Sequence, residues 1–345
     1  MRTERTSADS QSNALPDACP EGNADSRAGA AQLSCCARGT RARIGVVILN
    51  YRTPTLVRDC IDSLAQEIDL DRDTIVIVDN ASSDDSVPRL RRLVKERPEL
   101  PLRLIEADRN GGFAAGNNLG IQSIDADAYL LLNSDTLIRP GAIRALQTTL
   151  DANPGVGLVS PRLEWPNGSA QISCFRQHTP WSELLAGART DLVRRLLARY
   201  QVPIPVSECR YEPDWTSFAA VLLRARAIHD IGGLDDGFFM YYEDVDACRL
   251  LREKGWRILY EPAARVVHLR GGTSPVKRLT ADRERRPRYF YHSRARFFRK
   301  AYGPLGLLAA NLLWTLGRGI AWLRETLHYK EPHTVQAELQ DLWRG

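Results

Sequence analysis

The sequence predicts an α/β fold with a mostly parallel central sheet, and three observations lead there. Short apolar runs recur at Ile44–Leu49, Thr74–Val78, Leu102–Glu106 and Ala128–Leu132. The most continuous of these are what strands covered on both faces require. Helical patterns separate the runs, and strand–helix alternation at these lengths implies parallel βαβ units. The strand ends are polar: Asn50-Tyr51, Asp79-Asn80, Arg109-Asn110 and Asn133-Ser134-Asp135. Topology brings all four to the carboxyl edge of the sheet, where open α/β folds bind ligands.

Taken in order, the first 42 residues mix Ser, Ala, Asp, Asn, Gly and Arg without an apolar core. They read as a disordered tail rather than a secretory signal. After the first strand, Thr53 is the expected cap of a helix with Pro54 at its first position. Leu56, Cys60, Ile61 and Leu64 form its apolar stripe. A basic amphipathic helix is expected over Val87–Glu96, another over Phe113–Ser123, and Pro140 opens a fourth. Beyond Gly155 the pattern is more mixed. Strands are expected at Val156–Ser160 and Asp214–Leu223, and at Ile258–Tyr260 and Arg265–His268 on either side of Pro262. Asn167-Gly168 marks a hairpin turn. Residues 176–210 read as irregular with two short helices. With no linker between the halves, residues 43–275 form one domain.

Residues 276–345 read as a basic, helical C-terminal extension. Ten Lys or Arg and two acids between Val276 and Lys300 give that stretch a local charge of +8, whereas the whole chain carries only +5. The basicity is therefore local and does not mark a nucleic-acid-binding protein. Leu305–Leu323 approaches the length of a membrane span. However, Asn311, Thr315, Arg318 and Glu325 share one helical face, the pattern of an amphipathic helix in an interface or packed on the domain. Tyr289, Tyr291, Arg294, Arg296, Phe297 and Phe298 precede it and, with it, make 276–330 a candidate membrane-surface patch. The competing reading is a helical pair packed on the core with a solvated basic face. The seven cysteines show no CxxC pair or zinc-like spacing. Cys60 and Cys248 fall on apolar helical faces as buried thiols, which fits a reducing compartment.

The stretch Phe238–Asp246 draws the most attention. An aromatic run delivers Glu243, Asp244 and Asp246 to the start of a helix. Carboxylates there complement the helix dipole, and one of them could equally serve as a catalytic base. Dinucleotide chemistry is excluded, because Gly111-Gly112 is not a G-x-G-x-x-G fingerprint and no Walker sequence occurs.

Together the segments VVILNYRTP, IVIVDNASSDDS, RNGGFAAGNNLGI, YLLLNSDTLIRPGAI, GFFMYYEDVDACRLL and ARVVHLRGG resemble family 2 glycosyltransferases of the GT-A fold, in their rhamnosyltransferase-like bacterial branch. The resemblance spans about residues 43–300. It implies a single nucleotide-sugar-binding domain and one in-line, inverting displacement from a dTDP- or UDP-linked sugar. The acceptor implied is a glycan or a polyprenyl-linked glycan, and the setting is cytoplasmic, peripheral on the inner face of the cell membrane.

Carried over residue by residue, the resemblance makes Asp244 the general base, with Glu243 as its accessory and Asp246 structural. Asp79 would bond the nucleobase beside Asn50, Tyr51 and Asn80. Arg109, Asn110, Gly112, Phe113, Asn117 and Ser134 would line the nucleotide or donor pocket. Trp215 and Tyr242 would shape the donor–acceptor pocket. Asp135 and His268 would hold a divalent metal, Mg2+ or Mn2+. Two departures stand out: Asn133 occupies a position where the family often has aspartate, and Arg52 one where many relatives have a smaller polar residue. The alternative reading is a non-catalytic nucleotide-sugar-binding or scaffold member of a glycan assembly complex. Retention of Glu243, Asp244, Asp135 and His268 together argues against it.

Overall fold

The computed structural model describes residues 42–269, 275–327 and 334–345. The expected N-terminal tail, up to residue 41, lies outside the described residues. The order is β1 (Ile44–Asn50), α1 (Pro54–Leu64), β2 (Thr74–Asp79), α2 (Ser86–Glu96), β3 (Leu102–Glu106), α3 (Gly112–Gln122), β4 (Ala128–Asn133), β5 (Thr136–Ile138) and α4 (Ala142–Ala152). Next come β6 (Val156–Glu164), β7 (Cys174–Phe175), α5 (Pro180–Ala188), α6 (Asp191–Leu196), β8 (Trp215–Thr216), β9 (Ala220–Arg224) and α7 (Ala225–Asp230). The chain closes with α8 (Glu243–Glu253), β10 (Arg257–His268), α9 (Val276–Ala281), α10 (Arg288–Thr326) and α11 (Glu338–Arg344).

Eight strands form one sheet in the order β3-β2-β1-β4-β9-β6-β10-β5. The first four are parallel neighbours; β9 runs antiparallel between β4 and β6, and β5 pairs antiparallel with β10 at the edge. This is the mostly parallel α/β sheet the apolar runs implied. In β1, Ile44, Val46 and Ile48 face one core with α1, α2 and α4, while Val47 faces the other with α3, α7, α8 and α10. Burial on both sides explains why these strands do not alternate with polar residues.

Several expectations are corrected in detail. The strand expected over Asp214–Leu223 is two strands. β8 pairs with β7 in a separate two-stranded sheet, and Ser217-Phe218-Ala219 then carries the chain across to β9. Conversely, the segments flanking Pro262 are one strand, with a register shift between Glu261 and Arg265. Proline cannot donate to a ladder, and a bulge is where a strand tolerates it. Pro140 does not open α4: Gly141 is the N-cap at φ 81°, and its amide donates to the Glu67 carboxylate at 2.9 Å. Thr53 does stand at the N-cap of α1 with Pro54 after it, as expected, but its side chain makes no capping bond and its hydroxyl bonds Asn50 and Ser134.

The C-terminal extension packs on the domain. α10 is interrupted at Gly303 (φ 72°, ψ −178°), followed by Pro304. Its first segment turns Tyr291, Arg294, Phe297 and Phe298 inward, so most of the aromatic and basic stretch expected at a membrane is core. Arg294 is buried against Glu183 of α5 at 2.8 Å and Asn311 at 2.8 Å. Arg285 and Arg286 pair with Asp341 and Glu338 of α11, and Arg296 and Lys300 with Asp235. Much of the local positive charge is thus internally neutralised. Among the described residues, no helix is long and apolar enough to cross a membrane. Cys60, Cys174 and Cys248 are buried free thiols.

Candidate active site

A cavity of about 430 Å3 opens at the carboxyl edge of the sheet. Its floor comes from the strand ends: Leu49 and Tyr51 at the end of β1, Asn80 just after β2, and Asn133, Ser134 and Asp135 at the end of β4. One wall is Asn110, Gly112 and Phe113 at the start of α3. The other joins Ser217-Phe218-Ala219, Phe239–Tyr241, Glu243 and Asp244, with His268 from the end of β10. Pro275 closes it together with Lys277, Pro287 and Tyr289 of the C-terminal extension.

Hydrogen bonds among the strand ends fix the floor. The Asn50 amide donates to Asp79 Oδ1 at 2.7 Å, and the Ser82 amide donates to Asp79 Oδ2 at 2.9 Å. Thr53 Oγ1 donates to Asn50 Oδ1 at 3.1 Å and shares a 2.8 Å hydrogen bond with Ser134 Oγ. That hydroxyl therefore ties the loop after β1 to the loop after β4, a role that a capping motif hides. Asn80 Nδ2 donates to Asn110 Oδ1 and to the Gly112 carbonyl at 2.9 and 3.0 Å.

The start of α3 is joined to the catalytic-side loop by backbone. The Phe113 amide donates to the Phe239 carbonyl at 2.7 Å. Gly112 has φ +85°, and a Cβ there would fall 2.0 Å from that same oxygen. Only glycine serves both needs. Asn118 adds a two-way bridge to the Leu234 backbone at 2.7 and 2.9 Å.

The loop then enters α8 through two consecutive left-handed residues, Tyr241 (φ 70°) and Tyr242 (φ 68°). Such a conformation is costly for non-glycine residues and persists where packing over-determines it. Tyr241 stacks on Tyr289, and Tyr242 on Phe297, both of α10. Asp246 is buried and pairs with Arg249 at 2.7 Å and Lys300 at 2.6 Å, which holds α8 against α10.

Glu243 and Asp244 occupy the first turn of α8 and both line the cavity. Desolvation pushes the Asp244 carboxyl up to about 6, opposed by hydrogen bonds from the Val245 and Phe218 amides. Desolvation and then the neighbouring Asp244 charge push Glu243 well above the usual carboxylate range. Glu243 Oε2 is buried without a hydrogen-bond partner. Two neighbouring desolvated carboxylates do not both ionise readily. Burial thus opposes the charged form of both carboxyls, and the Asp244 charge adds to that opposition at Glu243.

His268 Nε2 stands 3.5 Å from Asp135 Oδ1, and its Nδ1 is buried without a partner. The separation is long for a hydrogen bond. Two ligands about 2.1 Å from one ion stand roughly 3.0 Å apart at a right angle and roughly 3.4 Å apart at a tetrahedral one. The pair therefore fits a divalent cation. Among the described residues no group of three or more His, Cys, Asp or Glu surrounds one point. Such an ion would complete its shell with water and substrate oxygens, as Mg2+ commonly does.

Of the residues singled out in the sequence, Tyr51, Asn80, Asn110, Gly112, Phe113, Ser134, Asp135, Glu243, Asp244 and His268 meet at this cavity. Others stand behind it. Asn50 and Asp79 are fully buried against each other, and Asn117 donates back to the Phe113 carbonyl. Trp215 stacks on Phe175 at 4.0 Å and donates to the Arg176 carbonyl. Tyr242 is enclosed by His178, Phe290 and Phe297. Arg109 is exposed and does not line the cavity. Lys277, Pro287, Tyr289 and Ser217-Phe218-Ala219 line it without having been singled out as site residues, because no local motif marks them.

Residues 42–303 match the family described as "Glycosyltransferase like family 2". The chain belongs to that family. As a family 2 glycosyltransferase it is a nucleotide-sugar-dependent enzyme. It is 28% identical over 273 residues to an N-acetylglucosaminyl-diphospho-decaprenol L-rhamnosyltransferase of Mycobacterium tuberculosis, covering 74% of this chain and 82% of that protein. It is 31% identical over 169 residues to a pre-mycofactocin glycosyltransferase of the same species, covering 48% and 32% of the two chains. Among solved structures, this family 2 glycosyltransferase superposes on a mannosyltransferase of Pyrobaculum calidifontis in complex with GDP-Man and Mn2+. The TM-score is 0.53 at 18% identity, covering 89% of this chain and 87% of the other. That likeness establishes the GT-A-like fold.

Proposed function

We propose that this family 2 glycosyltransferase moves a sugar, with inversion, from a nucleoside diphosphate to a hydroxyl of a glycan or lipid-linked acceptor. One observation carries the reading: the Glu243–Asp244 pair and the Asp135–His268 pair line the same cavity. A single displacement needs those two devices, a base for the acceptor and an electrophile for the leaving group.

In this mechanism ionised Asp244 takes the proton of the acceptor hydroxyl. The freed oxygen attacks the anomeric carbon, and the bond from that carbon to the diphosphate oxygen breaks on the opposite side. The products are the glycoside and the nucleoside diphosphate. Glu243, kept protonated, lets Asp244 carry the only charge of the pair. Asp135 and His268 would hold Mg2+ or Mn2+, which when bound neutralises charge on the departing diphosphate. Tyr51, Asn80, Asn110, Phe113 and Ser134 contact the nucleotide and donor. Asn50, Asp79 and Asn117 brace that surface from behind, and Tyr241 and Tyr289 face the acceptor.

The Mycobacterium tuberculosis relative is named for rhamnosyl transfer to a decaprenol-linked diphospho-sugar. By that likeness the donor is dTDP-rhamnose and the acceptor a polyprenyl-linked glycan, reached at the inner face of the cell membrane through the C-terminal extension. Release of nucleoside diphosphate from a panel of dTDP- and UDP-sugars with Mn2+ tests the reading. Turnover of one donor that disappears on adding a chelator is expected. Tight binding of a donor with no turnover under any acceptor condition would instead identify a binding or scaffold protein.

A further inference from the structure

We infer that the second segment of α10 lies flat on an anionic bilayer through an outward row of leucines, and that this row, not the basic aromatic stretch before it, is the membrane contact. The inference rests on the proposed function, in which the C-terminal extension meets a membrane, and it names the surface that does so.

After the break at Gly303, Leu305, Leu308, Leu312, Leu316 and Leu323 are 79%, 44%, 53%, 57% and 55% exposed. Their spacing of three, four, four and seven residues keeps them on one helical face. At 1.5 Å per residue the row extends about 27 Å. Gly319 continues it where the repeat would place another side chain. The opposite face, turned to the protein, carries Ala310, Asn311, Trp314, Gly317 and Ala321. Amphipathicity is therefore inverted relative to a surface helix in water, which buries its leucines.

The roll of the helix is locked, so it cannot turn to hide them. A Cβ on Gly187 would meet the Trp314 carbonyl oxygen at 2.3 Å, and one on Gly317 the Leu184 carbonyl oxygen at 2.3 Å. Two backbones in such contact fix the helix about its axis. The buried Asn311–Arg294–Glu183 chain adds a polar anchor to α5 on the inward side. Contiguous exposed apolar surface of this kind marks an interaction site.

The surroundings favour lipid over a protein partner. Trp322, 61% exposed, sits beside the row, where indole rings suit the headgroup level. Exposed Arg299 precedes the row and Arg324 follows it, cations suited to an anionic leaflet. α6, next in the chain after the helix that packs on α10, shows Leu192 and Leu196 at 69% and 75% exposure among Arg194, Arg195 and Arg199. No described helix can span a bilayer, so attachment is by lying on it. The same helix α10 begins beside the cavity at Tyr289, which links the attached segment to the acceptor side of the site.

The test is flotation of the full chain with vesicles of phosphatidylglycerol and phosphatidylcholine, compared for the wild type and the double variant Leu312→Glu/Leu316→Glu. Both positions are solvent-facing, and far-ultraviolet circular dichroism checks folding. The wild type is expected to float and the variant to lose at least tenfold in bound fraction. Nucleoside diphosphate release in vesicle-free buffer should stay unchanged, which separates membrane contact from the catalytic reading. A second variant, Arg299→Gln/Arg324→Gln, is expected to weaken flotation on phosphatidylglycerol while leaving the leucine contribution. Equal flotation of wild type and leucine variant would overturn the inference. So would a wild type that stays in solution as a dimer and becomes monomeric in the leucine variant, since the row would then belong to a second copy.

Discussion

Asp244 offers the most exacting test, because its environment sets both a rate and a stability. Its carboxyl is raised to about 6, chiefly by desolvation. A base with that pKa is about 90% ionised at pH 7 and about 10% ionised at pH 5, so kcat/KM should fall roughly tenfold between them, with a limiting slope of one. Asp244→Asn should remove this acid limb and lower turnover by ~10²-fold or more while nucleotide affinity is largely kept. Stability should move the other way. The folded pKa lies above the unfolded value near 3.8, so the native state binds the extra proton between roughly pH 4 and 6. Stability is then lost as pH rises through that window, and the ionised carboxylate is a burden at pH 7. A neutral amide escapes it, and Asp244→Asn should melt a few degrees higher than the wild type at pH 7–8. The assays are a pH–rate profile of nucleoside diphosphate release from pH 5 to 8 and thermal melts of both proteins. A flat profile from pH 5 to 7, or near-wild-type turnover in the variant, would refute the assignment.

Gly112→Ala should displace the Phe239 loop, since the new Cβ would overlap a carbonyl oxygen at 2.0 Å. A shift of about 1 Å in a reacting group commonly costs ~10²-fold; the measurement is kcat, alongside a circular dichroism spectrum that stays native. His268→Ala should raise the Mn2+ concentration needed for half-maximal turnover by at least about tenfold, read from a metal titration. Glu183→Ala should leave the buried Arg294 without its carboxylate. Removing one partner of a buried pair costs about 3–5 kcal/mol, so a melting temperature unchanged within a degree would contradict that account.

Much of the cavity edge was legible because its signals are local. Strands covered on both faces must be apolar throughout, so Ile44–Leu49 and Thr74–Val78 announce themselves, and the polar residues that end them fall on one edge by topology. Other features depend on partners far away in sequence. Ser217-Phe218-Ala219 carries no turn chemistry, so the switch between sheets was hidden inside an apparently continuous strand. Thr53 was legible as the N-cap of α1, but the use of its hydroxyl was not, since one partner, Ser134, is 81 residues away. Tyr289 and Lys277 reach the cavity through the packing of the extension, which leaves no mark on their neighbours. In α10 the two-sided pattern was readable, but its orientation was not. Asn311 faces inward only because Arg294 and Glu183 wait for it there.

The break at Gly303 coincides with the end of the stretch matched to the family, residues 42–303. It acts as a seam. The chain on its N-terminal side lines the cavity as far as Tyr289; the helix on its C-terminal side turns a row of leucines outward. Gly303 and Pro304 interrupt the helical ladder there, and the buried Arg294–Asn311 hydrogen bond still ties the two sides together. A change beyond the seam therefore reaches the first segment of α10 through Asn311, and a segment grafted after residue 303 would have to supply Arg294 with the same amide.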